Sequence, residues 1–245
     1  MRERPAMGTI HNRGMPLSNR VILITGANGG LGVAVTNAFL SSGARVAGAA
    51  RKIQNYGFPD PNFTAYPAEL GNPDAVRAVV AAVIAKWERI DVLVHLVGAF
   101  TGGQSVAETD DATLEQMLEV NLRVAFYMFR AVLPGMRNQG AGRILAIGSR
   151  TAADPQPMVG AYSASKAALV SLVRTVALEN KDRGISANVI LPGTMDTPGN
   201  RAAMPDADPA KWVHPSQVAS LLLLLASDQA SQISGAVIPI LGGDL

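Results

Sequence analysis

Short runs of β-branched and aliphatic residues alternate with longer stretches of helical period along most of the chain. Expected strands are Val21–Thr25, Arg45–Ala49, Phe63–Pro67, Val92–Leu96, Arg143–Ile147, Ser186–Leu191 and Val237–Ile240. Between them, helical spacing covers Leu31–Ser42, Pro73–Trp87, Asp111–Asn138, Val159–Lys181 and Pro215–Ser227. Several strands, such as VILIT and ISANVIL, are nearly continuous apolar runs, as strands buried on both faces require. Strand–helix alternation with right-handed crossovers predicts an α/β chain. The expectation is one Rossmann-type domain over residues 17–245: a doubly wound, seven-stranded parallel sheet with helices on both faces. The segment Gly193–His214 carries several prolines and few aliphatics, and follows the carboxyl end of a strand. It is expected to be irregular and to cover the crevice as a lid.

Composition supports a large buried core, with 48% hydrophobic and only 16% charged residues in 245. So little charge also suggests that apolar surface is covered by partner subunits, in a dimer or tetramer. The net charge of +2 is spread along the chain, which argues against nucleic acid as a partner. Cysteine is absent, so disulfides, thiolate chemistry and cysteine metal sites are excluded, and a reducing cytoplasm is the expected location. Three histidines without ligand spacing give no metal site. Residues 1–16 are polar, lack an export-type apolar stretch, and are expected to form a flexible tail, with Met15 as an alternative start. The apolar run Val218–Ala226 is too short to span a bilayer and reads as a buried helix face.

The first candidate chemistry follows the first strand, in Thr25-Gly26-Ala27-Asn28-Gly29-Gly30-Leu31-Gly32. A glycine-rich strand-to-helix turn lets backbone N–H groups at a helix start approach a pyrophosphate. Gly26 suits the tight turn; Gly30 and Gly32 allow close approach and helix packing. Alone, such a pattern is weak, but the strand before it and the helix after it give it context. Sites for NAD often carry an acid at the end of the second strand, for the ribose hydroxyls. Here Ala50, Arg51 and Lys52 stand in that place. Arg51 offers a 2′-phosphate a fork of donors, so NADP(H) is the expected cofactor, with NAD(H) second.

A second constellation comprises Ser149, Tyr162 and Lys166. Tyr162 and Lys166 stand four apart in a helical segment, so phenol and ammonium share one face. Hydride transfer to a carbonyl leaves an alkoxide that needs a proton. A free tyrosine, with a pKa of about 10, is a poor base at neutral pH. A neighbouring lysine cation is expected to lower that pKa. Ser149 follows the strand RILAI and could hold the substrate oxygen. A Tyr-x-x-x-Lys pair alone is usually ordinary helix surface; the serine and the glycine turn set this one apart.

Together these residues resemble the short-chain dehydrogenase/reductase family, from Leu17 to the end of the chain. TGANGGLG is similar to its T-G-x-x-x-G-x-G turn and YSASK to its Y-x-x-x-K, with Ser149 leading Tyr162 by thirteen residues. The resemblance implies a role for Asn121 in EVNLRVAF, as holder of a water in the proton relay with the lysine. It implies that Gly98, Pro192, Gly193, Met195 and Thr197 contact the cofactor, the last four on the nicotinamide side. Glu69 and Leu70 fall where the family binds near adenine, and ISGAVIPILGG resembles its closing strand and subunit-contact segment. The implied activity is transfer of a hydride to or from a small organic substrate.

Two departures qualify this. The family's N-N-A-G is here His95-Leu96-Val97-Gly98, and His95 is expected to be a satisfied core histidine without a catalytic part. The loop Asp196–Trp212 resembles that of dihydropteridine reductase, a member of the same family. That member resembles an NADH user without the serine, so Arg51 and Ser149 point elsewhere. Carbonyl reduction or alcohol oxidation is therefore the first expectation, and a quinonoid dihydropterin reductase the second. A cofactor-sensing protein without chemistry is the third. The substrate pocket is expected between the residues after Gly98, Asp154–Met158 and Gly193–Trp212. Phe100, Met158, Met195, Met204 and Trp212 would suit an apolar or planar guest.

Overall fold

A computed structural model describes residues 17–243, so the tail expected over residues 1–16 lies outside the described residues. Seven strands form the sheet: β1 (Val21–Thr25), β2 (Arg45–Ala50), β3 (Phe63–Pro67), β4 (Val92–His95), β5 (Gly142–Ile147), β6 (Ile185–Pro192) and β7 (Val237–Ile240). All pairings are parallel, in the order β3-β2-β1-β4-β5-β6-β7. The winding reverses between β1 and β4, which opens a crevice at their carboxyl ends.

The helices are α1 (Gly32–Ser41), α2 (Pro73–Trp87), α3 (Asp111–Leu118), α4 (Val124–Gln139), α5 (Gly160–Glu179), α6 (Pro198–Ala203) and α7 (Pro215–Ala226). Strand alternation divides the core between the two faces. Val21 and Leu23 of β1 pack with α2, α4 and α5, whereas Ile22 and Ile24 pack with α1 and α7. The apolar run in α7 buries Val218, Leu222 and Leu225 there. Among the described residues no helix is long and apolar enough to cross a membrane.

Two segments depart from the periodicity. The single helix expected over Asp111–Asn138 is divided, because Glu119–Arg123 takes π geometry between α3 and α4. A π turn inserts a residue while keeping the helix continuous, so apolar spacing barely registers it. The segment Gly193–His214 is less irregular than expected, since it holds α6 and a short 3₁₀ turn, Pro209–Lys211. Its ends are joined backbone to backbone: Asp196 N–H donates to Val213 O (2.9 Å) and Val213 N–H to Thr194 O (2.8 Å). The excursion is a closed loop on a fixed base.

At the opposite end of the central strands, the buried Asp91 ties the starts of β1, β4 and β5 together. Its carboxylate accepts from Val21 N–H (2.8 Å) and from the Arg89 guanidinium (2.9 and 2.6 Å). Its own N–H donates to Val21 O (2.9 Å), and its carbonyl accepts from Arg143 N–H (2.9 Å). Asp91→Ala leaves a buried strand N–H and a cation without an acceptor. It should lower stability by about 2–3 kcal/mol in urea denaturation. A loss below about 0.5 kcal/mol would mean the clamp is dispensable.

Candidate active site

β1 ends at Thr25, and Gly26 turns the chain with φ of 69°, a left-handed value that glycine adopts without strain. Gly29 N–H closes the turn on Gly26 O (3.0 Å). A Cβ on Gly32 would lie 2.0 Å from Gly26 O, so only glycine lets α1 start this close to the turn. The cap residue of α1, Leu31, makes no side-chain cap bond, and no acid stands in the first turn. Val33 N–H donates to Gly29 O (3.1 Å), and an anion in the crevice would satisfy the other leading N–H groups. Opposite, a Cβ on Gly30 would come 3.0 Å from Thr197 Cβ. Thr197 is held there by its work as cap of α6, accepting from Asn200 N–H (3.3 Å).

Asn28 is exposed, and its amide donates to Lys52 O (3.0 Å), which draws the loop after β2 against the glycine turn. Arg51, the first residue past β2, is exposed and forms no hydrogen bond or ion pair among the described residues. Ala68 N–H donates to Ala50 O (3.1 Å), placing Glu69 at the neighbouring strand end. Glu69 is exposed, but the Leu70 side chain is buried in the core. On the far side, Pro192 closes β6 and Gly193 N–H donates to Ile240 O (2.9 Å). Met195 is half-buried against the α1–α7 core. A glycine cradle, uncapped helix start and free guanidinium fit a phosphorylated dinucleotide.

The second group lies across the same crevice. Asn121 is fully buried in the π turn. Its Oδ1 accepts from Ala99 N–H (3.0 Å), and its Nδ2 donates to Ala99 O (3.0 Å) and Ser165 Oγ (3.0 Å). Ser165 Oγ in turn donates to Tyr162 O (2.7 Å). The Asn121 side chain is therefore committed to protein partners. Gly98 is wedged beside it: a Cβ there would lie 2.9 Å from both Asn121 Oδ1 and Lys166 Nζ. That explains why only the glycine of the four-residue motif is kept.

Tyr162 and Lys166 occupy the first turns of α5, and Lys166 Nζ reaches back to donate to Ile147 O (3.0 Å). Ser149 leaves the end of β5 nearly buried, and its Oγ lies 3.1 Å from Thr151 Oγ1. Burial pushes the Lys166 pKa down to about 8. Burial pushes the Tyr162 phenol up, partly offset by its hydrogen bond with Ser149. The lysine was expected to lower the phenol; in the folded chain the phenol is instead raised, by its own burial. The Phe100 ring stands edge-on to Tyr162, with centroids 5.0 Å apart at 79°.

His95 lies beneath the crevice floor, with Nδ1 3.0 Å from Thr25 Oγ1. It is satisfied only on that side, since Nε2 is buried without a partner among the described residues. Burial, and then the Lys166 charge, hold its pKa down at about 3, so it is neutral. Trp212 is buried and lines an open cavity of about 600 Å³ with Asp196, Arg201, Asp208 and His214. Sequence reasoning missed Thr25, Thr151 and Ser165. Thr151 and Ser165 neighbour predicted residues, but a hydroxyl two or three positions away carries no signal by itself. Among the described residues no three acidic or histidine side chains gather as a metal site.

Fold and site together define a dinucleotide-type dehydrogenase/reductase. A family profile described as short chain dehydrogenase matches residues 20–208, and the chain belongs to that family. It is 31% identical to the short chain dehydrogenase ausX of Penicillium brasilianum, over 91% of this chain and 95% of that one. It is 32% identical to the 3-oxoacyl-[acyl-carrier-protein] reductase FabG of Thermotoga maritima, over 94% and 99% respectively. The crystal structure of gox2181 superposes with a TM-score of 0.88 at 28% identity, covering 94% of this chain and 97% of that one.

Gly98→Ala forces Asn121 or Lys166 to move. The Ala99 amide should then exchange faster with solvent, and stability should fall by about 1–3 kcal/mol. Unchanged exchange at Ala99 would show that the close approach is not what holds this floor.

Proposed function

We propose that this protein is an NADP(H)-dependent oxidoreductase that reduces a carbonyl, or oxidises an alcohol, of a small organic substrate. The observation that carries the reading is the gathering of Asn121, Ser149, Tyr162 and Lys166 across one crevice from the glycine turn and Arg51. A relative named for reducing a 3-oxoacyl group supports an oxo group as the reacting centre. The dinucleotide would be held by Gly26, Asn28, Gly30, Leu31 and Gly32 at its pyrophosphate and by Arg51 at its 2′-phosphate. Glu69 and Leu70 would border the adenine; Gly98, Tyr162, Lys166, Pro192, Gly193, Met195 and Thr197 would border the nicotinamide. When bound, it supplies or accepts the hydride.

The chain's own groups manage oxygen and proton. Ser149 donates a hydrogen bond to the substrate oxygen, which strengthens as negative charge develops there. Tyr162, kept protonated by burial, gives its hydroxyl proton to that oxygen in the direction of reduction. Lys166 keeps a positive charge behind the phenol at neutral pH, and that charge favours the phenolate left after transfer. Asn121 keeps the floor and α5 in register. As pH rises past about 8 Lys166 loses its charge, so reduction should hold level from about pH 6 to 7.5 and decline above 8.

Purified protein with NADPH and separate carbonyl and pterin panels tests the reading. Turnover of carbonyls, lost at least about 100-fold in Tyr162→Phe, is the expected result. Turnover confined to pterins would move the assignment to a dihydropterin reductase. Undiminished turnover in Tyr162→Phe would remove the proton donor. For the cofactor, Arg51→Asp should raise the KM for NADPH about tenfold or more and lower that for NADH. Equal behaviour of both cofactors before and after the change would exclude Arg51. Exposed Phe126 and Leu178 support a dimer or tetramer, and a monomer mass in light scattering would contradict it.

A further inference from the structure

Beside the Tyr162 phenol stands a built apolar wall that the proton chemistry does not use. Phe100 leaves 64% of its surface exposed although one side of it is engaged by the Tyr162 ring. This exposed aromatic surface stands next to a buried phenol, where a substrate ring can pack against it. Its seat is Gly102: a Cβ there would lie 3.0 Å from Phe100 Cζ and 2.7 Å from Val159 Cγ1. The next residue, Gly103, donates its N–H to Met158 O (2.8 Å), and Gln104 bridges Val159. Met158 takes φ of 65°, a left-handed value that methionine adopts only when its surroundings impose it. Its side chain is half exposed beside this seat, and thioethers pack well against aromatic rings. The nearby charges, Arg150 and Asp154, pair with each other at 3.2 Å at the far end of the same loop.

We infer that Phe100, seated by Gly102 and Met158, determines specificity, and that the preferred substrate carries its carbonyl or carbinol on a flat apolar ring. This deepens the oxidoreductase reading and rests on it. A ring lying against Phe100 would bring the attached oxygen to the Ser149 and Tyr162 hydroxyls. A short aliphatic ketone would reach the same hydroxyls without using the wall.

The test compares acetophenone with 2-butanone, using NADPH. The wild type should favour acetophenone in kcat/KM. Phe100→Ala should lower kcat/KM about tenfold for acetophenone, mainly through KM, and no more than about threefold for 2-butanone. Phe100→Tyr should restore the ring preference. Gly102→Ala should weaken it with Phe100 still present. Equal losses on both ketones, or a wild-type preference for 2-butanone, would overturn the proposal. Ligand-observed NMR of acetophenone reads the wall without turnover. Contact that disappears in Phe100→Ala supports the wall, and contact that persists overturns it. Turnover of neither ketone, with contact intact and Phe100-dependent, would count against hydride transfer and leave the ring-binding role standing.

Discussion

The Asn121 carboxamide joins three segments distant in sequence, and the geometry of the site hangs on it. It accepts from the N–H of Ala99 and donates to the carbonyl of the same residue, each at 3.0 Å. Its remaining proton goes to Ser165 in α5 at 3.0 Å. Only a primary amide both accepts and donates twice; a carboxylate lacks the donors and an aliphatic residue lacks everything. Buried as it is, loss of any one bond would leave a polar group without water. The π turn makes this geometry available, because the extra residue turns one amide off the helix's regular path and into the crevice. Through Ser165 and the Tyr162 carbonyl, the clamp also secures the first turn of α5. The floor at Gly98 and the phenol above it are therefore positioned by the same side chain.

That tight assembly sets the electrostatics. Excluding water raises the cost of every charge, and the two titratable partners move in opposite directions. The phenol is held protonated and the ammonium is brought down to about 8. Residue spacing reveals the attraction of lysine for phenolate but not the burial that opposes it, and burial is the larger effect here. His95 shows the same rule at its limit. A second cation near Lys166 would face both repulsion and desolvation, so its imidazole stays neutral to about pH 3. Of these two neighbours, Lys166 alone keeps a positive charge at neutral pH.

Strand positions were readable from apolar patterning because a parallel sheet buried on both faces leaves no other arrangement for runs such as VILIT. The glycine turn was readable for a related reason: Gly26 takes a left-handed φ, backbone lies where a side chain on Gly32 would stand, and the Thr197 side chain crowds Gly30. What escaped depends on contacts between segments far apart in the chain. The π turn at Glu119–Arg123 alters hydrogen bonding while hardly disturbing periodicity. Helix α6 lies among prolines, and Pro198 and the Thr197 cap start it where few aliphatics are present. Ser165 and Thr25 join the network only because Asn121 and His95 lie against them, and neither contact has a local signature.

The two walls facing the crevice differ in what they are fastened to. The Phe100 wall is tied by Gly103 and Gln104 to the residues just ahead of α5. The tie sets its distance from Tyr162, with ring centroids 5.0 Å apart. The Asp196–Trp212 excursion is tied at Thr194 and Val213, to the strand edge and the start of α7. Within it, Arg201 grips Asp196 through two bonds of 2.6 and 2.9 Å, which stiffens the loop on itself more than on the site. A guest lodged between them touches one wall fixed to the proton donor and another fixed to the cofactor side. The proposed selection by shape rests on the first wall, whose aromatic surface stands against the Tyr162 ring. The second wall meets the glycine turn at Gly30 through Thr197, where the phosphates would lie.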